Sequence, residues 1–99
     1  MGEFEQLVVL ALLRLDNLAY GMEVREEIER RTGREVSYGA VYTALDRLEK
    51  KGLVAHALGE STPERGGRAK KFFRVEPAGR DALRAARHSL DVMWDGVTP

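Results

Sequence analysis

Glu3 to Leu15 constrains the fold of this chain more than any other stretch. After its first turn it is nearly continuous apolar: Phe4, Leu7, Val8, Val9, Leu10, Ala11, Leu12, Leu13 and Leu15. Its length suits a helix better than a strand. A helix that is apolar on almost every side must be covered on almost every side. With 99 residues the chain fits one domain that buries roughly two-thirds of its unfolded surface. So small a fold can cover only part of this helix, and the rest is expected to face a second subunit.

Asp16-Asn17 breaks the apolar run. A second helix is expected from Tyr20 to Arg31, with Tyr20, Val24 and Ile28 on its buried side. Glu23, Arg25, Glu26, Glu27, Glu29 and Arg30 are assigned to its wet side, and Gly33 closes it. A third helix is capped by Ser37 and stopped by Gly52, with Val41, Leu45 and Leu48 as its buried stripe. Leu53 folds back on that stripe beyond the glycine. The period then changes. Leu53–Leu58 and Lys70–Val75 read as two strands, joined by a turn-rich loop from Gly59 to Arg68. Pro77 opens a last helix, on which Leu83, Ala86, Leu90 and Met93 form a seam with Trp94 beside it. No internal repeat or second domain is visible.

Several classes are excluded at once. Without cysteine there is no disulfide scaffold, iron–sulfur site or thiolate zinc site, and His56 and His88 lie far apart. The four glutamates of the second helix have no histidine to share a metal with. No Gly-rich phosphate loop follows a strand, and no Ser/His/Asp order is present, so neither an enzyme nor a cofactor is expected. No apolar run reaches membrane-span length, and no basic region precedes the first apolar stretch. The expected compartment is the cytoplasm.

The net charge is zero, which argues against a strongly basic nucleic-acid binder of pI above about 9. The charge is nevertheless segregated. Residues 1–36 carry eight acids and five bases, residues 37–75 four acids and eight bases, and residues 76–99 four acids and three bases. An anionic partner should therefore meet the middle of the chain.

Two short helices, a third helix and a basic hairpin make a winged helix-turn-helix. The expected architecture is mostly α with a small β-hairpin. Residues 1–76 would form the DNA-binding domain and residues 77–99 a dimerisation helix packed on it. A helix fits the roughly 12 Å major groove, and a basic loop beside it can reach phosphates. The outer face of the third helix offers Ser37, Tyr38, Gly39, Tyr42, Thr43, Asp46, Arg47 and Lys50. Small residues permit close approach, and hydroxyls can bond phosphates or base edges. Arg65, Arg68, Lys70, Lys71 and Arg74 form a positive stripe on the wing. Blander readings stand beside these. Tyr38 and Tyr42 can simply pack on each other, and a lysine-rich hairpin can be an ordinary solvated edge.

Three segments carry a family resemblance: Tyr20-Gly-Met-Glu-Val24, the block from Tyr38 to Val54, and Gly67-Arg-Ala-Lys-Lys-Phe-Phe-Arg-Val75. Together they resemble the PadR-type bacterial transcriptional regulators, in the subfamily with a short C-terminal helix. The resemblance implies a homodimer whose last helix packs on the partner's first. Phe4, Leu7, Val8 and Ala11 would then meet Leu83, Ala86, Leu90, Met93 and Trp94. It also implies DNA contact by Tyr42, small residues at Gly39 and Ala40, and a basic wing at Arg68, Lys70 and Lys71. Phe72 and Phe73 depart from tyrosines common in the family, and Glu76-Pro77 from its usual Leu-Thr. Two acids in the 59–66 loop weaken the field of the wing.

The expected function is a homodimeric repressor that reads an inverted-repeat operator with residues 37–51 and touches the backbone with residues 59–71. The alternative is a winged-helix protein-interaction module without DNA binding. Trp94 either fills the subunit interface or lines a cavity for a flat aromatic effector.

Overall fold

The apolar N-terminal segment forms helix α1 (Glu3–Arg14) at the centre of the molecule. The computed structural model describes residues 1–61 and 69–99. Around α1 pack helix α2 (Gly21–Thr32), helix α3 (Tyr38–Lys50), strand β3 (Ala69–Val75) and the root of helix α4 (Pro77–Trp94). Strands β1 (Ala19–Tyr20) and β2 (Val54–Ser61) complete the set.

Val8, Val9 and Leu12 lie in one core cluster with Val24, Ile28, Val41, Leu45, Leu48, Val54, Phe73 and Val75. Thus α1 is largely covered by its own chain. Val8 and Ala11, expected at a subunit contact, are 0% and 3% exposed and have no surface left to offer. Surface to spare on α1 belongs instead to Leu10, 44% exposed, and to half-buried Phe4 and Leu7.

The sheet has one strand more than the sequence indicates. Its order is β1-β3-β2, antiparallel throughout, with Ala19 opposite Phe73 and Val54 opposite Val75. The turn into β1 uses two consecutive left-handed residues, Asp16 (φ 60°) and Asn17 (φ 58°), which asparagine and aspartate tolerate best after glycine. The Asn17 amide then substitutes for a strand. It accepts from Val75 N at 2.7 Å and donates to Val75 O at 3.3 Å, fastening the end of α1 to the end of β3. Strand β2 also runs past Leu58 to Ser61, with an irregular register between those two residues.

The end signals act where the sequence puts them. Ser37 Oγ accepts from Ala40 N at 3.1 Å. Gly52 turns left-handed (φ 75°), and Leu53 N reaches back to Leu48 O at 2.9 Å. Pro77 sits in the first turn of α4. Beyond its root α4 leaves the domain. Gly79 is its buried residue, every residue from Arg87 onward is exposed, and the molecule measures 56 × 28 × 21 Å.

Glu27 departs from the wet face assigned to it. It is 5% exposed and pairs with Arg14 Nε at 3.3 Å and with Arg30. The Arg30 hydrogen bond outweighs the opposing effect of burial and, with Arg14, holds the carboxyl below its ordinary value of 4.5. A depressed carboxylate value contributes stability above the unfolded-state value and loses it as pH falls through the folded one. Glu27→Gln should therefore lower the urea midpoint at pH 7 and flatten its decline between pH 5 and pH 3. An unchanged slope in that window would exclude the ion pair as its source.

Candidate nucleic-acid interface

Helix α3 owes its position to Val41, Ala44, Leu45 and Leu48, which are all buried. That anchorage turns Ser37, Tyr38, Gly39, Ala40, Thr43, Asp46, Arg47 and Lys50 outward. A side-chain carbon added to Gly39 would meet nothing within 4 Å, so the start of α3 is open to close approach. Of the hydroxyls, Ser37 is committed to its cap. Lys50 is held by Asp46 at 3.0 Å. Arg47 has no ion-pair partner among the described residues.

The two tyrosines pack on each other, as the blander reading of the sequence has it. Their rings pack at 4.7 Å and their hydroxyls hydrogen-bond at 3.0 Å. Tyr38 remains 41% exposed. Tyr42 is half-buried, its ring edge-on to Phe73 at 6.4 Å. Burial first, and then the Tyr38 hydrogen bond, push the Tyr42 hydroxyl up to about 12. Like any tyrosine it is neutral near pH 7, and the shift reinforces that.

Beside the tyrosines the base of the wing closes a groove. Tyr20, Met22, Glu26, Tyr38, Tyr42, Lys70 and Lys71 line a space of about 310 Å³. Lys70 Nζ lies 4.4 Å from the centre of the Tyr20 ring, a cation–π contact that orients the ammonium group. Tyr38, Tyr42, Lys70 and Lys71 thus converge on one surface. Arg47 faces a different hollow, shared with Gly2, Phe4, Thr43 and Ala44. Arg74 is drawn off by Glu76 at 3.4 Å, which thins the positive stripe. Arg65 and Arg68 lie outside the described residues. Tyr20 and Glu26 escaped the sequence reading, because only the pairing of Tyr20 with Phe72 brings the start of α2 beside the wing.

Helix α4 exposes several large apolar side chains among charged ones. On α4, Leu90, Met93 and Trp94 are 52%, 75% and 53% exposed, whereas Leu83 packs partly on the core. Ala86 is half-buried between them. Between α1 and α4, a hollow of about 470 Å³ is lined by Gln6, Leu10, Leu83, Leu90, Trp94 and their charged neighbours. No group of three or more acidic, histidine or cysteine residues among those described could hold a metal. No helix among the described residues is long and apolar enough to cross a membrane.

Residues 9–85 match the model of the transcriptional regulator PadR-like family. The chain belongs to that family. This PadR-like chain is 36% identical over 96 residues to the transcriptional regulator Rv3488 of Mycobacterium tuberculosis, covering 92% of this chain and 83% of that one. A PadR family transcription regulator from Clostridium difficile R20291 shares the fold at TM-score 0.76 and 23% identity, over 95% of this chain and 93% of its own. F93 from STIV, a winged-helix DNA-binding protein, superposes at TM-score 0.71 with 17% identity, over 91% of this chain and 89% of its own. The four helices and small antiparallel sheet are a winged helix. The family's role is transcriptional regulation rather than catalysis, as the absence of a reactive constellation in the sequence anticipates.

Proposed function

We propose that this PadR-like chain acts in the cytoplasm as a homodimeric repressor that binds an inverted-repeat operator. Residues 1–76 bind DNA and residues 77–99 join the subunits. The observation that carries this reading is the convergence of Tyr38, Tyr42, Lys70 and Lys71 at one groove beside the open face of α3. On this reading, Tyr38, Gly39, Thr43 and the hydroxyl of Tyr42, all on α3, approach base edges or phosphates. Arg47, Lys70 and Lys71, joined by the wing residue Arg68, neutralise the backbone. Ser37 contributes by capping α3. A two-fold dimer presents two such faces, so half-sites should lie about 10 base pairs apart.

Selection of bound duplexes from a randomised pool tests the reading, and an inverted repeat is the expected product. Lys71→Ala should weaken binding to every sequence and reduce the salt slope by about one. A salt slope near zero for the unmodified protein would instead favour a protein-interaction module.

Trp94, at the wall of the hollow between α1 and α4, gives a flat aromatic effector a surface to stack on. Such a compound should quench its fluorescence saturably and weaken operator binding, with the operator weakening its own binding by the same factor. A broad aromatic panel that changes neither leaves Trp94 as packing in the subunit contact.

A further inference from the structure

Gly21 is the first residue of α2, and its backbone does not account for it. It lies outside the left-handed region that Gly33, Gly52 and Gly96 occupy, so no backbone conformation there demands glycine. What distinguishes the position is the space above it. A side-chain carbon built on Gly21 would stand 2.7 Å from Cε2 of Tyr42, 2.8 Å from Cζ and 3.0 Å from its hydroxyl oxygen. The Tyr42 ring lies directly on the Gly21 backbone, closed in by Phe73 at 6.4 Å and by Tyr38 at 4.7 Å.

We propose that Gly21 is a positioning residue for DNA reading: the bare backbone at the head of α2 is the seat that holds the Tyr42 ring, and through it the Tyr38 hydroxyl, in one place on the DNA-facing groove. This rests on the DNA-binding reading above and adds a residue that need not touch DNA. The three sides of the seat come from three elements. Gly21 belongs to α2, Tyr38 to the first turn of α3, and Phe73 to β3. The ring tip is the far end of a rotatable side chain. A methyl group on Gly21 therefore displaces the ring without forcing backbone apart, and the hydroxyl pair moves off the groove while the core beneath stays filled.

The test is a double-mutant cycle on the duplex most enriched by the unmodified protein from a randomised pool, with an unrelated duplex as control. Gly21→Ala is expected to weaken binding to the enriched duplex about tenfold. Its affinity for the control duplex should stay within twofold, and its melting temperature close to that of the unmodified protein. In a Tyr42→Ala background, where no ring occupies the seat, the same substitution should change binding to the enriched duplex less than twofold. Equal losses in the two backgrounds would overturn the proposal, because Gly21 would then act without Tyr42. Unchanged affinity of the single variant would overturn it as well. If Gly21→Ala fails to fold and the double variant folds, the seat serves the fold through the ring rather than DNA reading, and the proposal falls. If both fail, Gly21 serves the fold alone and the proposal falls. A protein that enriches no sequence at all refutes the DNA-binding reading itself, a result separable from failure of the cycle.

Discussion

Met93→Asp is expected to convert the protein from dimer to monomer and to remove operator binding with it. Met93 is 75% exposed on its own chain, and Leu90 and Trp94 beside it are more than half exposed. Every residue of α4 from Arg87 onward is exposed among the described residues. Most helical stability in proteins comes from packing of an amphipathic face, and the apolar side chains on the outer half of α4 have little packed on them within the subunit. In the proposed dimer a second copy would supply a cover, offering Leu10 and half-buried Phe4 and Leu7 of its own α1. In a two-fold interface each substitution occurs twice. An uncompensated carboxylate in a dry contact costs about 3–5 kcal/mol, and two of them raise the dissociation constant by a factor of about ten thousand or more. The same change is mild within one subunit, because the side chain is already in solvent there. Light scattering at micromolar concentration should give twice 11.1 kDa for the unmodified protein and 11.1 kDa for the variant. Leu90→Asp should do the same. A monomeric unmodified protein would sink the dimer.

The parts of this fold legible in the sequence are those set by neighbours along the chain. Ser37, Gly52 and Pro77 act within a turn of their own positions, and the Val41/Leu45/Leu48 stripe follows directly from helical spacing. Contacts between distant segments left no such mark. Strand β1 has two residues, too few for a period, and its partners Phe72 and Phe73 are contributed by β3. Asn17 gave a turn signal, but its bond to Val75 spans 58 positions. Glu27 follows the spacing of a wet face, yet α1 packs against that side of α2 and its Arg14 pairs with the carboxylate. For the interface, the residue types were legible and their grouping was not. Tyr42 lies next to the core stripe in sequence, and nothing local reveals that Gly21 leaves room for its ring. Lys70 and Arg74 sit on the same strand, yet one rests on Tyr20 and the other is taken by Glu76.

Gly79→Ala should destabilise the domain and change the spacing between half-sites that the dimer prefers. At Gly79 helix α4 crosses the chain at its closest approach, and an added side-chain carbon would lie 2.2 Å from Leu53 O and 2.8 Å from Val75 Cγ1. Leu53 O cannot easily retreat, because it accepts the hydrogen bond from Glu76 N at 2.9 Å that ties the entry of α4 to the start of the wing. Alanine favours a helix over glycine by about 1 kcal/mol, whereas overpacking a tight contact costs about 1–3 kcal/mol. With backbone as the obstructing atom, overpacking dominates. The net loss should lower the melting temperature by about 4–8 °C for each kcal/mol in a domain of this size. The strain is relieved most cheaply by tilting α4 away from Leu53. From Gly79 to Trp94 the helix extends about 22 Å at 1.5 Å per residue, so a tilt of roughly 10° moves its far end by about 4 Å. Through a two-fold contact at that end, the tilt changes the distance between the two α3 faces. Duplexes with half-site separations varied one base pair at a time should show an optimum displaced by at least one step. A variant with unchanged melting temperature and unchanged optimum would mean that α4 is not set by this crossing.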